Sequence, residues 1–178
     1  MKHYFLAGLC AVTALWGLNH FLPGPPLGVA EADMRVRIIG YEREAFGGWL
    51  PDTKDNVRDA QATAYGLYDP YSGKHNPATV EVDHVFPLSA AWDMGAYRWD
   101  RQRKTAFAND PLNLVATAKD LNQDKSDSLP SEWLPPANRC DYSRRLAAVA
   151  RKYDLPLPAA DVRVMRRQCR FDFQLTTD

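Results

Sequence analysis

Two short segments rich in β-branched and apolar residues predict a β-hairpin in the middle of the chain. Thr79 to Val85 forms the first apolar run, and Leu112 to Thr117 forms the second. Runs of this composition and length favour strands. A helix is predicted to begin near Ala118 and to end before Pro130. The pattern therefore predicts two strands followed directly by a helix.

Helical spacing of apolar residues predicts further elements around this hairpin. Leu88 to Ala96 and Asp100 to Phe107 are predicted as helical pieces, broken at Gly95 and inserted between the two strands. Asp141 to Tyr153 and Asp161 to Cys169 each alternate apolar and basic positions with the period of an amphipathic helix. We therefore expect an α+β fold with a helical insertion between the two strands and two further helices at the C-terminal end.

The remaining residues carry weaker signals, and the length of the chain requires no more than one domain. That domain is predicted to cover residues 33–178, with the hairpin and its helix at about 79–128. Residues 33–60 are predicted to form an N-terminal arm that packs on the rest, with a short helical patch from Tyr41 to Phe46. Asp69 to Gly73 has the composition of a turn.

The N-terminus has the features of an export signal. Tyr4 to Leu18 forms an apolar core, and small residues allow cleavage after Ala30 or Ala32. Residues 1–32 are therefore predicted to be a signal peptide, and the mature protein is expected to be secreted, with no other membrane contact. An uncleaved anchor is the alternative, because Tyr4 to Leu22 approaches the roughly 20 residues that span a bilayer.

Only Cys140 and Cys169 remain when the predicted leader is removed. An even cysteine pair in an exported chain predicts a disulfide. Such a bridge would close a loop of about 30 residues and stabilise the fold by about 3 to 4 kcal/mol. Two buried free thiols are the alternative.

Charges balance over the whole chain, with 22 basic and 22 acidic residues, so the composition alone does not indicate a polyanionic partner. Their distribution is uneven, because residues 42–83 lean acidic and the part from Arg98 to Arg170 leans basic. A basic face in the second half would suit nucleic acid. A solvated helix face is the alternative.

Four polar residues on the predicted hairpin and helix form a candidate catalytic set. Asp83 and His84 are adjacent in the first strand, Asn113 stands at the head of the second, and Asn122 follows nine positions later. Neutral imidazole accepts a proton from water near pH 7, and carboxylate and amide oxygens bind divalent cations. The set predicts metal-dependent phosphodiester hydrolysis, with His84 as general base and Asp83 and Asn122 as metal ligands. Taken singly, each residue also has an ordinary structural explanation in a turn or at a helix end.

The order Asp83-His84, Asn113, Asn122, Lys125 resembles the HNH endonucleases. Neighbouring motifs agree with this resemblance: Tyr41 to Trp49, Ala91 to Ala96, Phe107 to Asp110, and Glu132 to Pro136. Together they resemble exported HNH proteins of actinobacteria and their phages, which are related to the C-terminal nuclease domain of GmrSD-type restriction enzymes. The resemblance extends from about residue 36 to residue 170.

The resemblance implies a ββα-metal core with a helical insertion and C-terminal helices. It also implies that Asn113 orients the His84 ring and that Lys125 lies near the substrate phosphate. The last ligand position holds Asn122 rather than the His of the HNH name, and hard oxygen donors favour Mg²⁺ or Mn²⁺ over Zn²⁺. The expected partner is nucleic acid, with DNA favoured over RNA, and the expected state is a monomer.

A catalytically inactive secreted domain with an HNH-like fold, which binds nucleic acid or serves a structural purpose, is the alternative function. Other hydrolase classes lack their signals, because the chain has no G-x-S-x-G, no H-E-x-x-H and no second cysteine pair for zinc. Sites with three histidine ligands are excluded, since only His75 and His84 follow the leader.

Overall fold

The structure is a computed structural model that describes residues 27–169. In chain order its regular elements are α1 (Thr53–Ala60), β1 (Ala62–Thr63), β2 (Gly66–Asp69), β3 (Lys74–His75), β4 (Val80–His84), α2 (Leu88–Asp93), α3 (Arg101–Ala108), β5 (Leu114–Ala118), α4 (Lys119–Lys125), α5 (Arg139–Lys152) and α6 (Ala159–Gln168). Short 3₁₀ turns cover Arg43–Phe46, Ala96–Arg98 and Pro111–Asn113. The expected α+β class is confirmed, and the order β4, β5, α4 is consistent with an HNH-like core.

The two strands that carry the predicted site pair antiparallel over their full length. Val80 lies opposite Ala118, and His84 lies opposite Leu114. Because directly opposed side chains share a face and successive side chains alternate, His84 and Leu114 point to the face that α1 covers. Asp83 points to the opposite face, against α4. The two adjacent side chains therefore leave β4 on opposite faces, and both lie at the end of the strand, where they line one cleft.

Helix α4 packs on the hairpin through Leu121 and Lys125. Residues four apart lie on one face of a helix, and here Leu121 packs against the core while Lys125 is completely buried. Ser126, with a φ of 50°, follows the last helical residue and ends the helix. The predicted helix between Ala118 and Pro130 is confirmed.

A three-stranded antiparallel sheet, in the order β1, β2, β3, precedes the hairpin. Buried Asp69 at the end of β2 joins the two sheets, because its carboxylate accepts hydrogen bonds from Thr117 Oγ1 at 2.7 Å and Ala118 N at 3.2 Å. It also accepts from Tyr71 N at 2.9 Å, which fixes the predicted turn. The sequence did not predict this sheet, since β1 and β3 have two residues each and show no periodic pattern.

The main core lies between the helical insertion and the C-terminal helices. Phe86, Phe107, Leu146 and Met165 have no exposed surface. The Phe107 ring meets the ring of Tyr153 edge to face, with centroids 4.9 Å apart. Helix α3 of the insertion is therefore held against the end of α5.

Basic residues of the second half make internal contacts instead of forming one uniformly free face. The Arg145 guanidinium donates to the carbonyl oxygens of Leu112 and Pro111, both at 2.8 Å. Arg103 donates to the carbonyl oxygen of Tyr153 at 2.8 Å. Some of the basic residues that the sequence analysis noted therefore stabilise the turn before β5 and the end of α5.

The predicted leader falls mostly on residues 1–26, which lie outside the described residues. Gly28 and Ala30, at the end of the predicted leader, pair with the segment before α6. Leu157 N donates to Gly28 O at 2.8 Å, and Ala30 N donates to Leu157 O at 2.9 Å. Within residues 27–169, no helix is long and apolar enough to cross a membrane.

The predicted disulfide is present between Cys140, in the first turn of α5, and Cys169, directly after α6. Replacing both cysteines by Ala should lower the free energy of unfolding by about 3 kcal/mol, because the unfolded chain regains the freedom that the crosslink removes. Urea unfolding of the oxidised protein measures this loss. A reductant should reproduce the loss in the wild type and leave the double variant unchanged. Equal unfolding midpoints with and without reductant in the wild type would contradict the prediction.

Candidate functional site

A cleft of about 590 Å³ opens between the end of β4, helix α4 and the N-terminal arm. Asp83, His84 and Asn122 line this cleft. Asn113 and Lys125 have no exposed surface and lie behind its wall. The structure therefore brings together all five residues that the sequence singled out, and it places two of them in the interior.

The His84 ring is oriented by a main-chain carbonyl group. Its Nε2 atom lies 2.8 Å from the carbonyl oxygen of Ala108, the last residue of α3. A carbonyl oxygen only accepts hydrogen bonds, so Nε2 carries the proton and Nδ1 of the neutral ring keeps its lone pair. Trp49 stacks on the same ring, with centroids 5.0 Å apart and planes inclined by 19°. The hydrogen bond fixes the tautomer of the imidazole, and the stacking fixes the plane of its ring.

Burial keeps the His84 ring uncharged. The residue is only 7% exposed, and the loss of hydration lowers the pKa of His84 from 6.5 to about 4. The hydrogen bond to Ala108 raises the pKa by a smaller amount, while the positive charges of Arg43 and Lys125 lower it further. His84 is therefore neutral at physiological pH and able to accept a proton.

Asn113 fixes the main chain after His84 and does not contact the His84 ring through a hydrogen bond. Its Oδ1 accepts from Phe86 N at 2.8 Å, its Nδ2 donates to Phe86 O at 3.2 Å, and its carbonyl oxygen accepts from Val85 N at 2.8 Å. The expectation that Asn113 orients the His84 ring stays a prediction. The Ala108 carbonyl holds the ring, and Asn113 holds the segment that follows it.

The Lys125 ammonium group is enclosed between Asp83 and the main chain of β4. Its Nζ lies 2.9 Å from Asp83 Oδ2 and 3.1 Å from Oδ1, and it donates to His84 O at 2.9 Å. Lys125 is 0% exposed. The expectation that Lys125 lies near the substrate phosphate stays a prediction, and in this structure its charge is compensated by Asp83. The sequence contains a signal for this inward position: Lys125 follows the apolar Leu121 by four residues, and residues four apart lie on the same face of a helix.

Tyr71 belongs to the site, although no motif identified it. Its hydroxyl donates to Asp83 Oδ2 at 2.7 Å, and its ring packs against Trp133 and Tyr142 with centroids 5.4 and 5.6 Å away. Burial, helped by the negative Asp83, raises the pKa of Tyr71 well above its usual value, so the hydroxyl remains a donor. Burial also raises the pKa of Asp83, while Lys125 and then Tyr71 act to lower it.

Asn122 is oriented by Glu81, two residues before Asp83 on β4. Its Nδ2 donates to Glu81 Oε2 at 2.8 Å, which leaves the amide oxygen as a possible ligand. Asp83 and Asn122 therefore offer carboxylate and amide oxygens, the hard donors that suit Mg²⁺ or Mn²⁺. Across residues 27–169, no three His, Cys, Asp or Glu residues are grouped to hold a metal. A cation here would need water or phosphate oxygens as its remaining ligands.

The N-terminal arm is tied to the rim of the cleft through Arg35. The Arg35 side chain is 4% exposed, and it donates to Asp93 Oδ2 at 2.6 Å, to Asp127 O at 2.6 Å and to Ser89 Oγ at 3.1 Å. Arg37 also pairs with Asp127, and this hydrogen bond is the main reason that the pKa of Asp127 falls to about 2. The arm is thus a fixed wall of the cleft, which adds to the packing role that the sequence indicated.

Comparison with known proteins places the chain in a family. Residues 52–155, more than half of the chain, match the family model of the C-terminal domain of GmrSD restriction endonucleases. The chain belongs to this family. A relative from Arthroderma benhamiae, described as an uncharacterized secreted protein, is 33% identical over 195 residues, which cover 90% of this chain and 95% of the relative. No solved structure matches the chain.

The matched range contains β4, β5 and α4, and therefore all five residues of the predicted site. The resemblance to the GmrSD family is confirmed. Membership implies a nuclease-type function and nucleic acid as the class of substrate.

Replacing Lys125 by Met should lower the free energy of unfolding at pH 7 by about 3 to 5 kcal/mol, because Asp83 is left buried without its compensating charge. The loss should shrink toward pH 4, since a protonated Asp83 needs no cation. Urea unfolding at both pH values measures these changes. Lys119→Met is the matched control, because its half-exposed ammonium lies 3.9 Å from Glu81 and contributes about 1 kcal/mol or less. Losses of equal size in the two variants would show that the buried pair contributes no more to the free energy of unfolding than the exposed pair does.

Proposed function

We propose that this chain is a metal-dependent HNH endonuclease that hydrolyses phosphodiester bonds in nucleic acid, with DNA favoured over RNA. The observation that carries the proposal is the neutral His84 ring in the wall of the cleft, with Nε2 bonded to Ala108 and Nδ1 left with its lone pair. A general base requires this state at neutral pH. Membership in a restriction endonuclease family supports the same class of reaction.

In this proposal His84 removes the proton from the attacking water. As the water oxygen bonds to phosphorus, the bond from phosphorus to the leaving oxygen breaks and the water proton moves to Nδ1. The Ala108 carbonyl stabilises the imidazolium that forms, because the Nε2–H group continues to donate to it. Asn113 keeps the Val85 and Phe86 main chain in place through three hydrogen bonds. The base thus meets the water with a fixed direction of approach.

Asp83 and Asn122 are the proposed protein ligands of one Mg²⁺ or Mn²⁺ ion. When bound, the ion stabilises negative charge on the phosphate and the leaving oxygen. The residues present fit such an ion, since both donors are oxygens and Glu81 already holds the amide nitrogen of Asn122. Tyr71 and Lys125 fix the plane of the Asp83 carboxylate. A carboxylate has about four lone-pair sites, so these hydrogen bonds leave capacity for a ligand bond.

We also propose that the mature protein is secreted and acts as a single-domain monomer. The predicted leader over residues 1–32 supports export, as does the name of the Arthroderma benhamiae relative. The bridge between Cys140 and Cys169 is of the kind that persists in an oxidising compartment.

His84→Ala should lower the single-turnover rate on supercoiled plasmid by about 10² to 10⁴-fold, because the positioned base is lost. DNA affinity measured in Ca²⁺ should change little, since Asp83 and Asn122 remain. Asn122→Ala is the matched counterpart, and it should instead raise the Mg²⁺ concentration required for half-maximal rate. Circular dichroism establishes that both variants are folded.

Two results would contradict this proposal. Full wild-type cleavage in excess chelator would exclude the metal-dependent reaction. DNA binding without hydrolysis in any divalent metal would identify an inactive binding domain with an HNH-like fold.

The low pKa of His84 predicts the acidic limit of activity. Protonation of the ring blocks the base, and in the free enzyme it occurs at a pH of about 4. With saturating Mg²⁺, kcat/KM should therefore show no loss attributable to His84 between pH 7 and pH 5, and should fall as the pH approaches 4. A pH profile of kcat/KM tests this expectation. An acidic limb with an apparent pKa near 6.5 would show that the ring is not desolvated in the active protein.

A further inference from the structure

A second cleft of about 690 Å³ lies at the other end of the hairpin and helix from His84. Its lining residues come from β3, from the turn before β4 and from the start of α4. They include Lys74, His75, Thr79, Lys119 and Gln123. The proposed catalytic groups do not line this cleft, so it requires a separate explanation.

The two clefts are neighbours along α4. Gln123 lines both of them. Val80 pairs with Ala118 at the end of the hairpin next to the second cleft, and His84 lies four residues further along β4. Four strand residues span about 13 Å. This distance corresponds to about four nucleotides of one strand of B-DNA, measured along its axis. A polynucleotide at His84 can therefore reach the second cleft without leaving the surface.

Two lysines give the second cleft its charge. Lys74 and Lys119 are both exposed. The Lys119 ammonium has only a loose pair, 3.9 Å from Glu81, and no ion pair of Lys74 is found within residues 27–169. Asp120 is the acidic residue of the lining. Exposed lysines whose charges are not tightly paired are the usual partners of backbone phosphates.

The turn between β1 and β2 places one aromatic ring, that of Tyr65, against His75 in the lining of the cleft. Tyr65 is 80% exposed and meets the His75 ring edge on, with centroids 6.0 Å apart. Asn76 holds this turn in shape, since its side chain donates to Tyr65 O at 3.0 Å and accepts from Leu67 N at 3.0 Å. Gly66 has a φ of 98°, and any side chain there would collide with Asn76. The exposed ring is thus held on a rigid support, and aromatic rings of this kind stack with bases.

We infer that the second cleft binds the phosphate backbone of the nucleic acid about four nucleotides from the scissile bond, through Lys74 and Lys119, with Tyr65 as a stacking surface. This inference rests on the proposed endonuclease function. The inference assigns to the three-stranded sheet β1–β2–β3 a function in binding extended polynucleotides. A short phosphodiester bound at His84 does not reach the second cleft.

The test compares Lys74→Gln/Lys119→Gln with the wild type on a long and a short substrate. Binding of a 20-base-pair duplex in Ca²⁺ is measured over a salt series. Each lost phosphate contact should make the slope of log affinity against log salt shallower by about 0.7 to 0.9, so the double variant should lose about 1.4 to 1.8. Turnover of bis(p-nitrophenyl) phosphate should equal that of the wild type, because this small diester reaches only the catalytic cleft. That equality also shows an intact fold.

Two matched variants accompany the test. Arg58→Gln removes an exposed cation of α1 that pairs with Asp55 outside both clefts, and it should leave the salt slope unchanged. Lys74→Arg/Lys119→Arg keeps the charges and should retain the wild-type slope. A slope in the Gln double variant equal to that of the wild type overturns the inference. Failure of the wild type to hydrolyse either substrate, with the slope still reduced in the double variant, overturns the proposed function and leaves the binding site standing.

Discussion

The buried ion pair between Lys125 and Asp83 is the constraint on which the site depends. A charged ammonium with no exposed surface is stable only with a close partner. Lys125 Nζ lies within 3.1 Å of both Asp83 oxygens and 2.9 Å from the His84 carbonyl oxygen. The pair thus joins the last turn of α4 to the end of β4. Sliding either element would leave a charge unpaired in the interior, so the pair also fixes their register. Tyr71 completes the arrangement by donating to the same carboxylate.

The proposed metal ligand Asp83 and the proposed base His84 lie on opposite faces of the hairpin. On one face, Asp83 is controlled by charges and hydrogen bonds from α4 and from the turn after β2. On the other, His84 is controlled by burial, with Trp49 stacked on it and the Ala108 carbonyl as its hydrogen-bond partner. Each setting suits its proposed task, since a ligand needs its negative charge maintained and a base needs its neutral form. The helical insertion between the strands supplies the Ala108 carbonyl, and it is therefore part of the site.

The strands of the hairpin, the start of α4 and the two C-terminal helices were predicted to within about two residues, because the apolar positions of each element repeat with the period of a strand or a helix. The small sheet and α1 were not. Strands of two residues have no period, and their position depends on distant polar contacts, such as the carboxylate of Asp69 on Thr117. The same reason explains the missed Tyr71. Its importance lies in a hydrogen bond to a residue 12 positions away, and nothing in its local sequence differs from an ordinary turn.

The sequence by itself determined which side chains meet. Asp83, His84, Asn113, Asn122 and Lys125 lie on or next to the two strands and the helix that their patterns predict, and the packing of these three elements brings them together. The tertiary structure decided what each of them contacts. Asn113 and Lys125 are completely buried, and burial requires every polar group to find a partner. For Asn113 that partner is the main chain of Phe86, and for Lys125 it is Asp83. Motifs specify residue types and spacing, whereas burial and hydrogen-bond partners depend on the packed elements around them.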